Sequence, residues 1–322
     1  MINLLTLDYM YNYYSFGLRI ASELQLPELP MSDQGGHGAT PELTVTIRDL
    51  STKWQELEPI SEYVAIDSDT VYIRVPDTAI FAMYKGENIF ISAFPNASID
   101  KIRLYVLGTC MGIILMQKHI LPLHGSAISI NGNAYAVVGH SGAGKTTTSS
   151  YLIEQGYQLL SDDLIAVTFD ENNTPLIMPA YPQQKIWQQT IDMLGMDAAG
   201  LKPLFDRETK FAVPVPGSFC NKPLPLAGIF ELVKTDNDAP SISPIQGLER
   251  FHTLLQHTFR GFLIKRLGLL DWHFGTLARF ANHIEMNRLY RPQSGDSLNA
   301  LGELLLQSIN KESNKNENRA IV

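Results

Sequence analysis

Eight consecutive residues, Gly139-His140-Ser141-Gly142-Ala143-Gly144-Lys145-Thr146, fit the pattern G-x-x-x-x-G-K-[ST] in full. The chemistry needs these residue types. Glycines let the backbone turn tightly and present successive N–H groups to phosphate oxygens. A helix that begins at the end of such a loop turns its positive end toward the same anion. Lys145 supplies a point charge for the β- and γ-phosphates, and the Thr146 hydroxyl is a ligand suited to Mg2+. Gly139, Ser141, Gly142, Ala143, Gly144, Lys145, Thr146 and Thr147 are therefore the candidate nucleotide-binding residues.

Two further features lie at short range. Asp162 and Asp163 follow Lys145 by 17 and 18 residues, at the end of a short apolar run, Tyr157–Ser161. If that run is a strand of an α/β sheet, its carboxyl end lines the ligand crevice. Adjacent carboxylates there can hold Mg2+ and accept a proton from a nucleophile. The competing reading is a tight Asx-type turn between two strands. His124, followed by Gly125, precedes Lys145 by 21 residues, and an imidazole beside a carboxylate pair can tune its charge.

The elements that must position these residues can be read from periodicity. Ser126–Ile130, a turn at 131–133 and Ala134–Val138 spell a hairpin leading into the glycine loop. A helix is expected over Lys145–Glu154, closed by Gly156. Tyr157–Ser161 and Leu164–Thr168 follow as strands, and the alternation points to a mixed α/β core. Ahead of it, Ser98–His119 reads as a helix capped by Ser98. Its apolar face holds Ile99, Ile102, Tyr105, Val106, Thr109, Cys110 and Ile113. The first hundred residues are β-rich, with strands at Leu43–Arg48, Val71–Val75, Ile80–Tyr84 and Ile89–Phe94 and a loop at Met31–Thr40. The expected organisation is a β-rich module over 1–96, a catalytic domain over 97–310 and a frayed polar tail over 311–322. Beyond residue 184, Ile186–Leu194 reads as a helix and Asp206–Leu226, rich in proline, as an extended loop. Gly228–Val233 reads as a strand, and Leu248–Thr258, Asp271–His283 and Ser297–Ile309 as helices.

Composition narrows the classes. The chain has 322 residues, 45% hydrophobic and 18% charged, as in an ordinary globular protein. Its net charge of −8 disfavours a general binder of nucleic acid or anionic membrane. The charge divides unevenly, 9 basic and 19 acidic residues over 1–184 against 16 and 14 over 185–322. The second part, with Arg207, Lys210, His252, His257, Arg260, Lys265, Arg266 and His273, can receive an acidic partner or show an ordinary mixed surface. Met1–Met10 has no signal-peptide pattern, and the greasiest run, Val106–Met116, is too short to span a bilayer. Cys110 and Cys220 form no CxxC and read as buried thiols of a cytoplasmic protein.

His124-Gly125, the hairpin, GHSGAGKT and Asp162-Asp163, at these intervals, together resemble the catalytic core of the HPr kinase/phosphorylase family. The loop is also similar to that of phosphoenolpyruvate carboxykinase. The resemblance implies a carboxykinase-like P-loop fold and ATP- and Mg2+-dependent phosphorylation of a serine hydroxyl on a peptide or protein. It implies that Lys145 and the loop hold phosphates, and that Thr146 and one aspartate, Asp162, serve the metal. Asp163 would act as base with support from His124. The family's EIRGLG signature is not found, since 178–194 reads MPAYPQQKIWQQTIDML. The segments Phe16-Gly17-Leu18-Arg19-Ile20 and Leu26-Pro27-Glu28-Leu29 resemble the stand-alone members. Among these are lasso-peptide precursor kinases, which implies a C-terminal serine as acceptor. The family also permits a homo-oligomer. A nucleotide-binding regulator without transfer activity and a small-molecule kinase are the alternatives.

Overall fold

The first sheet shows how the β-rich pattern is spent. In this computed structural model, which describes residues 10–32, 40–204, 207–293 and 297–320, seven strands form one mixed sheet. Their order is Tyr11–Ser15, Leu18–Ser22, Leu43–Ile47, Asn88–Ala93, Ala79–Tyr84, Thr70–Val75, Val64–Asp67. Most of the loop expected at Met31–Thr40 lies outside the described residues. The opening hairpin, whose turn at Phe16 and Gly17 has φ of 56° and 77°, was not anticipated as strands. It docks on the rest of the chain: the Phe16 N–H donates to the Pro179 carbonyl at 2.8 Å and the Ser15 hydroxyl to the Ala180 carbonyl at 2.6 Å.

The second sheet, of nine strands, carries the glycine loop. Asn133–Val138 feeds the loop and pairs antiparallel with Gly125–Ile130. The turn between them has Asn131 and Gly132 at φ of 51° and 76°, as a type I′ hairpin demands. On its other side Asn133–Val138 runs parallel to Leu224–Thr235, which runs parallel to Glu285–Pro292. An antiparallel neighbour beside the loop strand distinguishes this sheet from a doubly wound, all-parallel one. The fold class is mixed α/β, as the alternation of elements implies. The strands Gln158–Asp162 and Ile165–Phe169 do not pair with each other. The first adds to Gly125–Ile130 and the second to Leu121–Leu123 and Pro175–Met178.

Two expectations need correction. Ile186 lies not in a helix but in a strand, Gln183–Trp187, and the helix starts only at Gln188. That strand pairs with Arg207–Pro214, so the first part of the expected proline-rich loop is a strand as well. Pro214 ends that strand and Pro216 and Pro223 lie beyond it, while Pro225 falls near the start of the strand Leu224–Thr235. The last helix runs from Leu298 to Ala320 and so takes in part of the polar tail. After Gly302 it contains neither Gly nor Pro to stop it.

The helix expected over Ser98–His119 forms as Ile99–Tyr105, a π turn at Val106–Cys110, and Met111–Gln117. The Ser98 hydroxyl accepts the Lys101 N–H at 3.5 Å. A single apolar face was too narrow a reading, because every residue from Val106 to Met116 is buried. The cause is position. The helix shares one apolar cluster with Phe81 and Ile89 of the first sheet and with Ala166 of the second and the adjoining Leu164. Cys110 is enclosed there, and burial pushes its thiol up; Cys220 is only half-buried. Among the described residues no helix is long and apolar enough to cross a membrane.

Candidate active site

The loop residues converge on a cleft of about 1160 Å³. The helix after the loop starts at Lys145 and ends at Glu154, as expected. Gly142 and Gly144 take φ of 78° and 111°, which a side chain would strain. Gly139, Ser141, Gly142, Gly144, Lys145, Thr146 and Thr147 all line the cleft. Ala143 does not; it turns into the core beneath, 5% exposed. The Lys145 ammonium donates to the Gly139 and His140 carbonyls at 2.9 and 3.1 Å. Burial, followed by Lys210 at a distance, lowers its pKa, and the two aspartates oppose that. His140 is exposed, its ring 5.5 Å from that of His257. The Thr147 hydroxyl shares a hydrogen bond of 2.8 Å with that of Thr190.

Asp162 and Asp163 are adjacent in sequence but occupy different environments. Asp162 ends its strand facing inward and is 5% exposed. Its carboxylate accepts from the Ser126 hydroxyl at 2.6 Å, the Thr146 hydroxyl at 3.2 Å and the Lys185 N–H at 2.8 Å. Burial raises its pKa, and the neighbouring Asp163 adds to this. Asp163 takes a left-handed backbone, φ 72°, which Asp tolerates better than most residues. Its side chain reaches the cleft, with Oδ2 2.7 Å from the Lys185 ammonium and Oδ1 3.5 Å from His124 Nδ1. Burial alone would raise the pKa of Asp163. The Lys185 ammonium, which also bonds to it, outweighs this and holds the carboxyl well below the usual range. One residue of left-handed backbone thus gives two neighbouring carboxylates opposite charge tendencies.

His124 Nδ1 lies 3.0 Å from the Asp163 carbonyl oxygen, so this nitrogen carries the hydrogen. Burial first, and then Lys145, lower the pKa of His124 and favour its neutral form. Gly125 has a packing reason to be glycine. A Cβ there would run into the Val137 carbonyl of the paired strand. Gly125→Ala is expected to cost about 1–3 kcal/mol. Chemical denaturation measures it, and an unchanged midpoint would refute the crowding.

The cleft contains residues that motif reading missed. Lys185, 7% exposed, comes from Gln183–Trp187, the strand mistaken for a helix start. Burial would lower its pKa, but Asp163 reverses this and raises it. Glu231, 4% exposed, lies in register with Val138, the last residue before the loop. Its carboxylate accepts from His257 Nε2 at 3.0 Å and from Arg288 at 2.6 and 2.7 Å. Burial would raise its pKa; the His257 and Arg288 bonds win and lower it. This buried network fixes His257, whose carbonyl accepts the His124 N–H at 2.8 Å. No spacing in the sequence signals it. Of the later basic residues, Lys210, His257 and Arg260 line the cleft. His273 is buried beneath it, bonded to Thr258 at 2.9 Å, while His252, Lys265 and Arg266 are exposed elsewhere. The side chain of Arg207 lies outside the described residues.

The oxygens of Thr146 and Asp162 fit a Mg2+ site. Mg2+ prefers hard oxygens and usually takes one or two carboxylates, with water and substrate phosphates completing its shell. Among the described residues no group of three or more His, Cys, Asp or Glu forms an all-protein metal cage.

No protein-family model matches the chain. It is similar to a solved structure, the Hpr(Ser) kinase/phosphatase from Coxiella burnetii. The TM-score is 0.35 at 14% identity, covering 62% of this chain and 97% of that one. It is also 34% identical over 70 residues to an HPr kinase/phosphorylase of Mycoplasmopsis pulmonis (strain UAB CTIP). That match takes in 21% of this chain and spans 23% of the relative's length. Over those 70 residues the chain is similar in sequence to an HPr kinase/phosphorylase.

Proposed function

We propose that the protein is an ATP- and Mg2+-dependent serine kinase of the HPr kinase/phosphorylase type, acting on a peptide or protein in the cytoplasm. One observation carries this reading: an ionised carboxylate, Asp163, opens into the same cleft as a complete phosphate loop. A regulator that only binds nucleotide has no need of a carboxylate held there by a buried lysine.

Loop amides and Lys145 would hold the phosphates, and Thr146 and Asp162 the metal. When bound, Mg2+ supplies charge neutralisation to the phosphate oxygens. Asp163 accepts the hydrogen bond of the serine hydroxyl and orients its oxygen toward the γ-phosphoryl group. A carboxylate held so far below the usual range is a weak base. That suits a loose transition state, in which the proton leaves late and positioning dominates. His124 fixes Asp163 through its carbonyl, and Lys185 through its side chain.

The proposed acceptor is the C-terminal serine of a lasso-peptide precursor. The motifs of residues 16–20 and 26–29 and the lack of EIRGLG favour it over HPr. The test incubates the protein with γ-labelled ATP and, separately, such a precursor, HPr and a panel of small hydroxyl compounds. Label on the precursor's terminal serine is expected. Label on a metabolite alone, or none on any acceptor, would overturn the reading.

A further inference from the structure

The cleft holds a cation that the phosphate loop does not explain. Segment 256–260 runs along it: the His257 ring approaches that of His140, and Phe259 lies 6.0 Å from His124. Arg260 then reaches the helix, where its Nη2 donates to the Thr109 hydroxyl at 3.1 Å. Arg260 has φ 53°, a region that side chains of its size rarely occupy. Thr109 lies in the π turn, and such turns are frequent at functional sites. Two departures from regular backbone, far apart in sequence, meet at one guanidinium. Sparsely populated backbone persists where the surrounding structure enforces it.

Charge gives the second argument. Asp162 and Asp163 supply the cleft's acidic lining, and both are engaged, by hydroxyls and by Lys185. Lys145 lies on the loop, while Lys234 and Arg291 flank it at Gly142 and Gly144. Those cations face the nucleotide side. Arg260 is on the side of the helix, and among the described residues no carboxylate pairs with it. The cleft volume of about 1160 Å³ also exceeds the roughly 300–1,000 Å³ of a small-molecule site, leaving room for an acceptor chain.

We propose that Arg260 binds a carboxylate of the acceptor, either an Asp or Glu side chain or the chain terminus, close to the phosphorylated serine. The proposal rests on the serine-kinase reading above. The guanidinium fork suits two-point contact with a carboxylate, and its anchor on Thr109 orients it before the acceptor arrives.

Four serine peptides test it: one with a free C-terminal carboxylate, the same peptide amidated, the amide with Asp beside the serine, and the amide with Lys there. The native protein is expected to prefer one or both carboxylate peptides over the neutral amide by about tenfold or more, chiefly in KM. The arm that carries the preference names its source. Arg260→Ala should remove the preference, raising KM far more than it changes kcat or Mg·ATP affinity. Arg260→Lys should keep part of it, and Arg260→Glu should shift it to the Lys peptide. Equal use of neutral and carboxylate peptides, or a preference that survives Arg260→Ala, overturns the inference and leaves the kinase reading standing. Transfer to none of the four, with a fluorescent ATP analogue still bound, overturns the kinase reading and the inference together.

Discussion

Asp163→Asn lowers the rate of phosphoryl transfer by about two to four orders of magnitude while Mg·ATP still binds. The substitution isolates the chemistry. Asn is nearly the same size and, like Asp, tolerates the left-handed backbone at φ 72°. What changes is the acceptor of the serine hydroxyl's hydrogen bond, from an ionised carboxylate to a neutral amide. Asp162, Thr146 and Lys145 are untouched, so the loss appears in kcat rather than in nucleotide affinity. Single-turnover transfer from labelled ATP, beside a nucleotide-binding titration, separates the two. Full transfer by Asp163→Asn would remove Asp163 from the reacting centre. Loss of nucleotide binding would show that it holds the metal instead.

Lys185→Met has the second largest expected effect, and it acts on stability as well as on rate. The ammonium lies 2.7 Å from Asp163 and is 8% exposed, so removing it leaves a largely enclosed carboxylate without its cation. Breaking a buried pair costs about 3–5 kcal/mol. Because the Asp163 side chain remains 27% exposed to the cleft, the lower end of that range applies, about 3 kcal/mol. The carboxylate then loses one of its two anchors, and a displacement of about 1 Å costs about 100-fold in rate. Denaturant midpoints and kcat, measured on the same preparations, check both. A variant with the native midpoint and kcat would show that Asp163 is positioned without Lys185.

The legible parts of this site are those whose causes are local. Glycines at the loop, a helix beginning at Lys145 and an I′ turn at Asn131-Gly132 each follow from a few neighbouring residues. Asp162 and Asp163 were legible as a pair, but not as an unlike pair. Their difference depends on Lys185 and Ser126, which β pairing brings from distant positions. Lys185 itself was hidden because Gln183–Trp187 has no clean alternation, and its partner strand ends among prolines. Glu285–Pro292 was missed for another reason. It runs parallel to one neighbour and antiparallel to the other, yet it carries Arg288, whose guanidinium is paired by the buried Glu231 and by Glu249. The helix at Ile99–Gln117 was seen, but its depth was not. Periodicity reports one covered face, and the stretch Val106–Met116 is covered all round.

Under the proposed kinase reading, that helix would tie recognition of the acceptor to a part of the chain remote from the glycine loop. Tyr105 faces the cleft and stacks on Phe81 of the first sheet at 5.9 Å. Thr109 anchors Arg260 from the π turn one helical turn later. The first sheet is therefore a mould for the far wall of the cleft, whereas the wall that grips phosphate is built wholly within the second. Changes at Phe81 or its neighbours can reshape which chains are accepted without disturbing how ATP is held. If the chain is the kinase proposed above, a new target would arise through substitutions more than fifty residues upstream of the glycine loop.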